Sequence, residues 1–334
     1  MKSLTKSVLS NNDIYAIFAK ANLGDVLDFG ALTAGEFNAV FWVKTNSQKF
    51  VLKVAPSGDT PLLSFEKNML QHEVAVQRLL EQIKSINIGR VVFSDFTKSI
   101  ITSDYFIYEF LHGKMVEGAR LSKDIKLQIK HQQMAFLAEL HSLDVASLCS
   151  RENLDNAFGY PRVASNNWHS ALKMLVEKLK SDAAAKGRKL KGADRLLYYI
   201  DKHKDILEKV SPALVNFDLW NTNIIYNGKN KPIGIIDPER TFIADPIADF
   251  VAIDPLKKIE KKQYLIDEYN RHAPLPIQLS PDTKARYYIA VGYLALIMQT
   301  EKPYRYKKSQ LKYYTHTLAA KLFFNNAIRG LKRL

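Results

Sequence analysis

Between Val215 and Asp237 the chain reads VNFDLWNTNIIYNGKNKPIGIID, which sets Asp218 five residues before Asn223 and nineteen before Asp237. Two short apolar runs flank a turn at Asn227-Gly228, and the second, Ile233 to Ile236, leads straight into Asp237. The pattern predicts loop, strand, turn, strand, a hairpin whose two ends return to one place. Phosphoryl transfer from a nucleotide needs such a convergence: a carboxylate to take the acceptor's proton, and oxygen ligands to hold Mg²⁺ against the phosphates. Mg²⁺ prefers oxygen ligands and keeps several waters, so two protein ligands and phosphate oxygens suffice. Alone, Asp218 and Asn223 equally suit a turn, since such side chains bond nearby backbone as a matter of course. The rest of the chain has to decide.

A chain of 334 residues is long for one core and suits two unequal lobes. With 47% hydrophobic and 25% charged residues it reads as a globular protein, neither fibrous nor disordered. Ser10, Asn11, Asn12 and Asp13 interrupt any hydrophobic signal region behind Lys2 and Lys6, which argues against secretion. The longest apolar run, Tyr287 to Met298, is twelve residues, too short for membrane insertion as a spanning helix. One cysteine, Cys149, excludes an internal disulfide and a multi-cysteine metal site, and suits a cytoplasmic protein. The net charge is +14, yet residues 1–110 hold eleven Lys/Arg and eleven Asp/Glu, so the excess lies beyond them. Its basic runs, at 178–195, 257–262 and 305–333, read first as solvated helix faces. Attraction of anionic substrates is the sharper reading; no zinc finger or RNA-recognition signature supports a specific nucleic-acid partner. No signal speaks for any oligomeric state.

Residues 24–55 alternate as strands around a polar turn at Thr45 to Gln48, with Gly35 and Asn38 as candidate residues of a loop lying close over phosphates. Lys53 stands between Leu52 and Val54 in an apolar strand, where an ammonium needs an anionic partner. A helix from Ser64 to Ile83 carries Glu73, with Glu66 as the alternative partner. Strands at 91–93 and 104–110 end before Gly113, where backbone near Glu109 and Leu111 is placed to meet an adenine edge. Helices follow at 125–142, 169–182, 193–210, 258–272, 281–300 and 309–331, with 183–192 as the linker expected to be most mobile. His141 and most of the aromatics, Trp168, Tyr264, Tyr269, Tyr287 and Tyr293 among them, read as structural.

In this order the motifs resemble the aminoglycoside phosphotransferase and choline kinase-like family of small-molecule kinases, which share the protein-kinase fold. LTAGEFNAVFWV is similar to its nucleotide loop, VLKV to its lysine strand, HEVAVQRLL to its glutamate helix and NFDLWNTNII to its catalytic loop. IIDPERTFIADPIADF is similar to its metal-binding segment, with Asp245 and Asp249 in a DPxxD pattern. The resemblance implies an α+β, bilobal fold: a small N-terminal antiparallel-sheet lobe with one main helix (1–112, nucleotide and hinge) and a larger, mostly helical lobe (113–334, catalysis and acceptor). It implies Asp218 as catalytic base, Asn223 and Asp237 as Mg²⁺ ligands, Lys53 positioned by Glu73 on the nucleotide phosphates, and Asp249 as a brace for the catalytic loop. Asn216 departs from the family's usual histidine in its HxD pattern, and the DLWxxN wording resembles fructosamine kinases.

The expectation is an ATP-dependent, Mg²⁺-dependent kinase that phosphorylates a small-molecule hydroxyl: a sugar, amino sugar, amino alcohol or antibiotic. The basic second half tilts the acceptor toward neutral or anionic sugars. A silent pseudokinase rests only on Asn216, and a protein kinase is disfavoured because no APE-type segment follows Asp237.

Overall fold

The computed structural model describes residues 6–32, 37–58, 60–145, 158–160 and 163–334. Gly35 and Cys149 lie outside the described residues. The N-terminal lobe is a five-stranded antiparallel sheet in the order β1-β2-β3-β5-β4, built from Val26–Leu32, Ala39–Thr45, Lys49–Val54, Val91–Asp95 and Tyr105–Glu109, numbered β1 to β5 in chain order.

Strand alternation sends successive side chains to opposite faces of this sheet. Phe50, Leu52 and Val54 of β3, with Tyr105 and Ile107 of β5, pack on Ile14, Ile17 and Phe18 of helix α1 (Asn11–Ala21). The other face pairs Val51, Phe106 and Tyr108 with Leu70 and Val74 of helix α2 (Met69–Leu80). Lys53, two residues after Val51, therefore points at α2.

Helix α1 was not anticipated. Its opening residues, read as a break in hydrophobicity, form a capping box instead: the Asp13 N–H donates to Ser10 Oγ and the Ser10 N–H to Asp13 Oδ2. The expected helix from Ser64 is also shorter, a 3₁₀ turn at Ser64–Glu66 followed by α2. Between them Asn68 takes a left-handed conformation, φ 59°, which asparagine tolerates better than most residues.

The chain then crosses through β6 (Lys114–Met115), which pairs with β10 (Ile224–Tyr226), itself paired with β11 (Gly234–Ile235). This small sheet contains the expected hairpin. A second sheet, β8-β7-β12-β9, joins Val163–Ser165, Phe158–Tyr160, Phe242–Ala244 and Ala213–Val215. Around both sheets stand α3 (Lys123–His141), α4 (Trp168–Ala185), α5 (Ala193–Lys202), α6 (Lys204–Glu208), α7 (Gln263–Asn270), α8 (Pro281–Arg305) and α9 (Leu311–Leu331). Residues 193–210 thus form two helices, broken at His203 with φ −107° and ψ 24°, where no proline or glycine announces a break. The expected linker is held at both ends of its second half: Leu190 is buried, and Gly192 at φ +89° lies against the Phe324 ring, leaving no room for a Cβ. The largest apolar core runs through this lobe, from Leu137 of α3 through Val215 and Phe242 to Leu294 of α8.

Candidate active site

Lys53 is almost fully buried, and its charge is met from three sides. Its Nζ donates to Glu73 Oε1 at 2.6 Å, to Asp237 Oδ1, and over 3.4 Å to Glu239 Oε2. Burial alone would favour the neutral amine; the carboxylates of Asp237, Glu73 and Glu239 reverse this and hold Lys53 well above the ordinary lysine range. Burial also pushes Glu73 up, to about 7, against the pull of the ammonium, and pushes Glu239 well up with help from the Asp237 charge. Glu66, the alternative partner, pairs instead with Arg305 of α8.

The hairpin explains how Asp237 arrives here. The Ile236 N–H donates to the Asn223 carbonyl at 3.0 Å, so the residues at 223 and 237 leave the two hairpin ends side by side. Asp237 itself takes φ 61°, an uncommon conformation for a non-glycine residue, before the turn Pro238–Arg240.

On the other side of that junction, Asp218 is gripped by its own loop. Its Oδ1 accepts from Trp220 Nε1 at 2.8 Å, its Oδ2 from Asn223 Nδ2 at 2.9 Å, and its N–H donates to Asn216 Oδ1 at 3.1 Å. Asn216 thus bonds the backbone of Asp218 from the position at which the sequence departs from the HxD pattern. Burial pushes Asp218 up to about 6, opposed by Arg240, whose Nε lies 3.7 Å from Oδ1, and aided by the charges of Asp237 and Glu301. The loop is held from beneath: Asp249, fully buried, accepts the N–H of Asn216 at 3.0 Å and of Phe217 at 2.6 Å. Phe217 sits at φ 57°, a strained backbone for a bulky residue, and the pair of bonds to Asp249 holds it there. His141 Nε2 lies 2.9 Å from Asp249 and Nδ1 3.0 Å from the Tyr269 hydroxyl, which fixes the brace and leaves His141 structural. Asp245 accepts instead from Arg286 at 2.9 Å and from the Ile247 N–H at 3.2 Å.

Asn38, Lys53, Leu111, Asp218, Asn223 and Asp237 line one cavity of about 540 Å³. Glu73 reaches it through Lys53. Glu109 does not line it: its N–H donates to the Arg90 carbonyl at 3.0 Å and its carboxylate pairs with Arg90 at the surface, so only Leu111, Phe110 and Tyr108 of that segment face inward. Sequence reading missed Glu239, Arg240, Glu301, Arg305 and Trp220, which line the same cavity. Glu239 had a signal, standing two residues past Asp237 in DPER; Asn38 Nδ2 donates to it at 3.0 Å. Arg240 and Arg305 had none, because their partners Glu301 and Glu66 are remote in sequence.

The donor set is all oxygen, which suits Mg²⁺. Carboxyl oxygens of Glu73, Asp237 and Glu239 lie within 4.8 Å of one another around a single ammonium, a cluster of oxygen donors close enough together to share a cation. Asn223 spends its amide nitrogen on Asp218, which leaves its carbonyl oxygen for a cation beside Asp237.

Comparison with known proteins bears on the family and the fold. The chain is 24% identical over 233 residues, 66% of its length and 72% of the relative's, to a probable ketoamine kinase of Lactiplantibacillus plantarum. Its fold is similar to the GDP complex of aminoglycoside 2'-phosphotransferase-IIIa, with TM-score 0.65 and 16% identity over 96% of this chain and 99% of that one. It is similar also to a choline kinase of Streptococcus pneumoniae, with TM-score 0.63 and 15% identity over 97% and 100% of the two chains. The expected protein-kinase-like, bilobal fold is therefore present. The sequence profile of the phosphotransferase enzyme family matches residues 28–253, well over half the chain, and the protein belongs to that family of small-molecule kinases.

Proposed function

We propose that this protein transfers the γ-phosphate of ATP to a hydroxyl of a sugar or sugar-derived small molecule, with Asp218 as the base. The observation that carries the reading is the meeting in one cavity of Lys53 from β3, Asp218 and Asn223 from the loop before the hairpin, and Asp237 from its far end. Lys53, held by Glu73, exchanges a carboxylate for phosphate oxygens when the nucleotide enters. Asp218 accepts the proton of the acceptor hydroxyl as its oxygen bonds to the γ-phosphorus and the bond to ADP breaks. A carboxyl poised near 6 is mostly ionised at neutral pH yet basic enough to take that proton. Asn223 and Asp237 would hold Mg²⁺, which when bound neutralises charge on the phosphates. GDP in the aminoglycoside enzyme supports a nucleotide site of this kind.

For the acceptor, the cavity offers Trp220 and Phe37 beside the ion pairs of Arg240 with Glu301 and of Arg305 with Glu66. Aromatic faces with paired charges suit a polyhydroxylated molecule, and the relative described as a ketoamine kinase acts as a guide to the panel. Labelled ATP offered with sugars, ketoamines, amino alcohols and aminoglycosides should yield one labelled class. Asp218→Asn should lower turnover by about 10³-fold while nucleotide still binds. Undiminished product from Asp218→Asn would sink the assignment.

A further inference from the structure

The last helix has an apolar face that stands exposed among the described residues. Leu311, Tyr314, Leu318 and Leu322 of α9 are 76%, 59%, 58% and 47% exposed, and their spacing of three, four and four places them on one line of the helix. The opposite face is also apolar and does pack: Ala320, Phe323, Ala327 and Leu331 are buried against the lobe. A helix apolar on both sides has more hydrophobic surface than its own fold requires.

The surroundings are predominantly positive. From Lys302 to Leu334 there are nine Lys/Arg and no Asp/Glu. Beside the stripe opens a second cavity, of about 780 Å³, lined by Arg188, Lys189, Lys191, Arg195, Lys302 and Lys321, with Asp194 as its one carboxylate. Asp194 is already paired with Lys180. Thr317, Lys321 and Asn325 of α9 line the cavity, so its rim runs along the flank of the helix next to Leu318 and Leu322. Lys302 is buried there with a hydroxyl partner, Thr317 Oγ1 at 2.7 Å, and no carboxylate partner among the described residues. Burial, then the neighbouring Arg188, lower its pKa, a sign of unmatched positive charge.

We propose that this face docks the enzyme on an anionic phospholipid surface, the leucine stripe entering the headgroup boundary while the basic cavity beside it takes lipid phosphates. Basic residues flanking an exposed apolar helix stripe are what an interfacial helix needs. Nucleic acid makes no use of the leucines, and a second copy of the chain would bring two acid-free segments face to face. No described helix is long and apolar enough to cross a membrane, so the docking is peripheral. The inward face of α9 sets Phe323 6.2 Å from the Trp220 ring in the loop of Asp218, which brings the docking helix into contact with the phosphotransfer site.

Co-sedimentation of the full chain with vesicles tests this. Phosphatidylglycerol vesicles should retain it at least about tenfold better than phosphatidylcholine vesicles at low salt. Leu318→Ser with Leu322→Ser should cut retention at least about tenfold at unchanged charge. Lys189→Glu with Lys191→Glu, in a loop, should do the same through charge, and thermal melting of each variant checks that it is folded. No preference for phosphatidylglycerol, or retention indifferent to the serine variant, overturns the proposal. So does retention on RNA that equals vesicle binding and ignores the serines, which assigns the patch to polyanions in general.

Discussion

Two lysines, one in each lobe, are removed from water almost completely, and they meet opposite fates. Lys53 faces three carboxylates and stays a cation. Lys262 of the C-terminal lobe, with no exposed surface, donates to the carbonyls of Phe250 at 2.7 Å and Ile253 at 2.6 Å, and sits 5.1 Å from the Tyr287 ring. Burial pushes it down to about 7, since carbonyl dipoles and an aromatic face repay only part of the lost hydration. Burial therefore does not decide charge; the partners do. The difference separates a lysine kept ionic at the wall of the cavity from one that ties off the backbone after Asp249.

Lys53→Met should break the first half of the contrast most severely. Turnover should fall by about 10²–10³-fold, since a cation aimed at transferred charge is lost, while circular dichroism stays native. The same variant leaves Glu73, Asp237 and Glu239 without their ammonium, so its thermal stability should recover as the pH is lowered and they take protons.

Lys262 tests the second half through pH. Its folded pKa lies below its unfolded value of about 10.5, so the unfolded chain binds the extra proton between about 7 and 10.5, and stability contributed by this group rises with pH across that window. The wild type should gain on the order of a few kcal/mol from this term by denaturant titration, and Lys262→Met should lose the slope while keeping activity within about twofold. Lys53, raised rather than lowered, contributes nothing to that slope.

Glu73→Gln should be milder, because Asp237 and Glu239 still face Lys53; nucleotide KM should rise by about tenfold with little change in the melting temperature. Smallest is a displacement of the acid limb. The kcat/KM profile should fall as pH drops through about 6, where Asp218 gains its proton, and Arg240→Gln, which removes the charge opposing that gain, should move the limb upward by a fraction of a unit.

The residues legible in sequence were those whose meaning is local. Asp218, Asn223 and Asp237 are linked by one hairpin, and Lys53 announces itself as a charge inside an apolar strand. Glu301 and Arg305 fall beyond the expected helix at 281–300, with Arg305 opening a basic run; α8 in fact continues to Arg305, and only tertiary packing turns the two residues toward Arg240 and Glu66. Likewise the backbone at Glu109 stands at the end of β5 as expected, yet its N–H is taken by the Arg90 carbonyl of the neighbouring strand region, a pairing that no local pattern announces. The break at His203 and the capping box at Ser10 are backbone choices that hydrophobic spacing does not register.

His72 stands one residue before Glu73, and its Nε2 lies 2.6 Å from the carbonyl of Thr241, a few residues past Asp237. The helix that steadies Lys53 is thus riveted to the segment that follows the hairpin. A movement of α2 away from that segment has to break this bond, whereas Gly113, at φ +150° with the Tyr226 carbonyl pressed where a side chain would start, is a position that admits no larger residue. The hold on Lys53 therefore depends on a bond made beyond the hairpin as well as on the carboxylates around it.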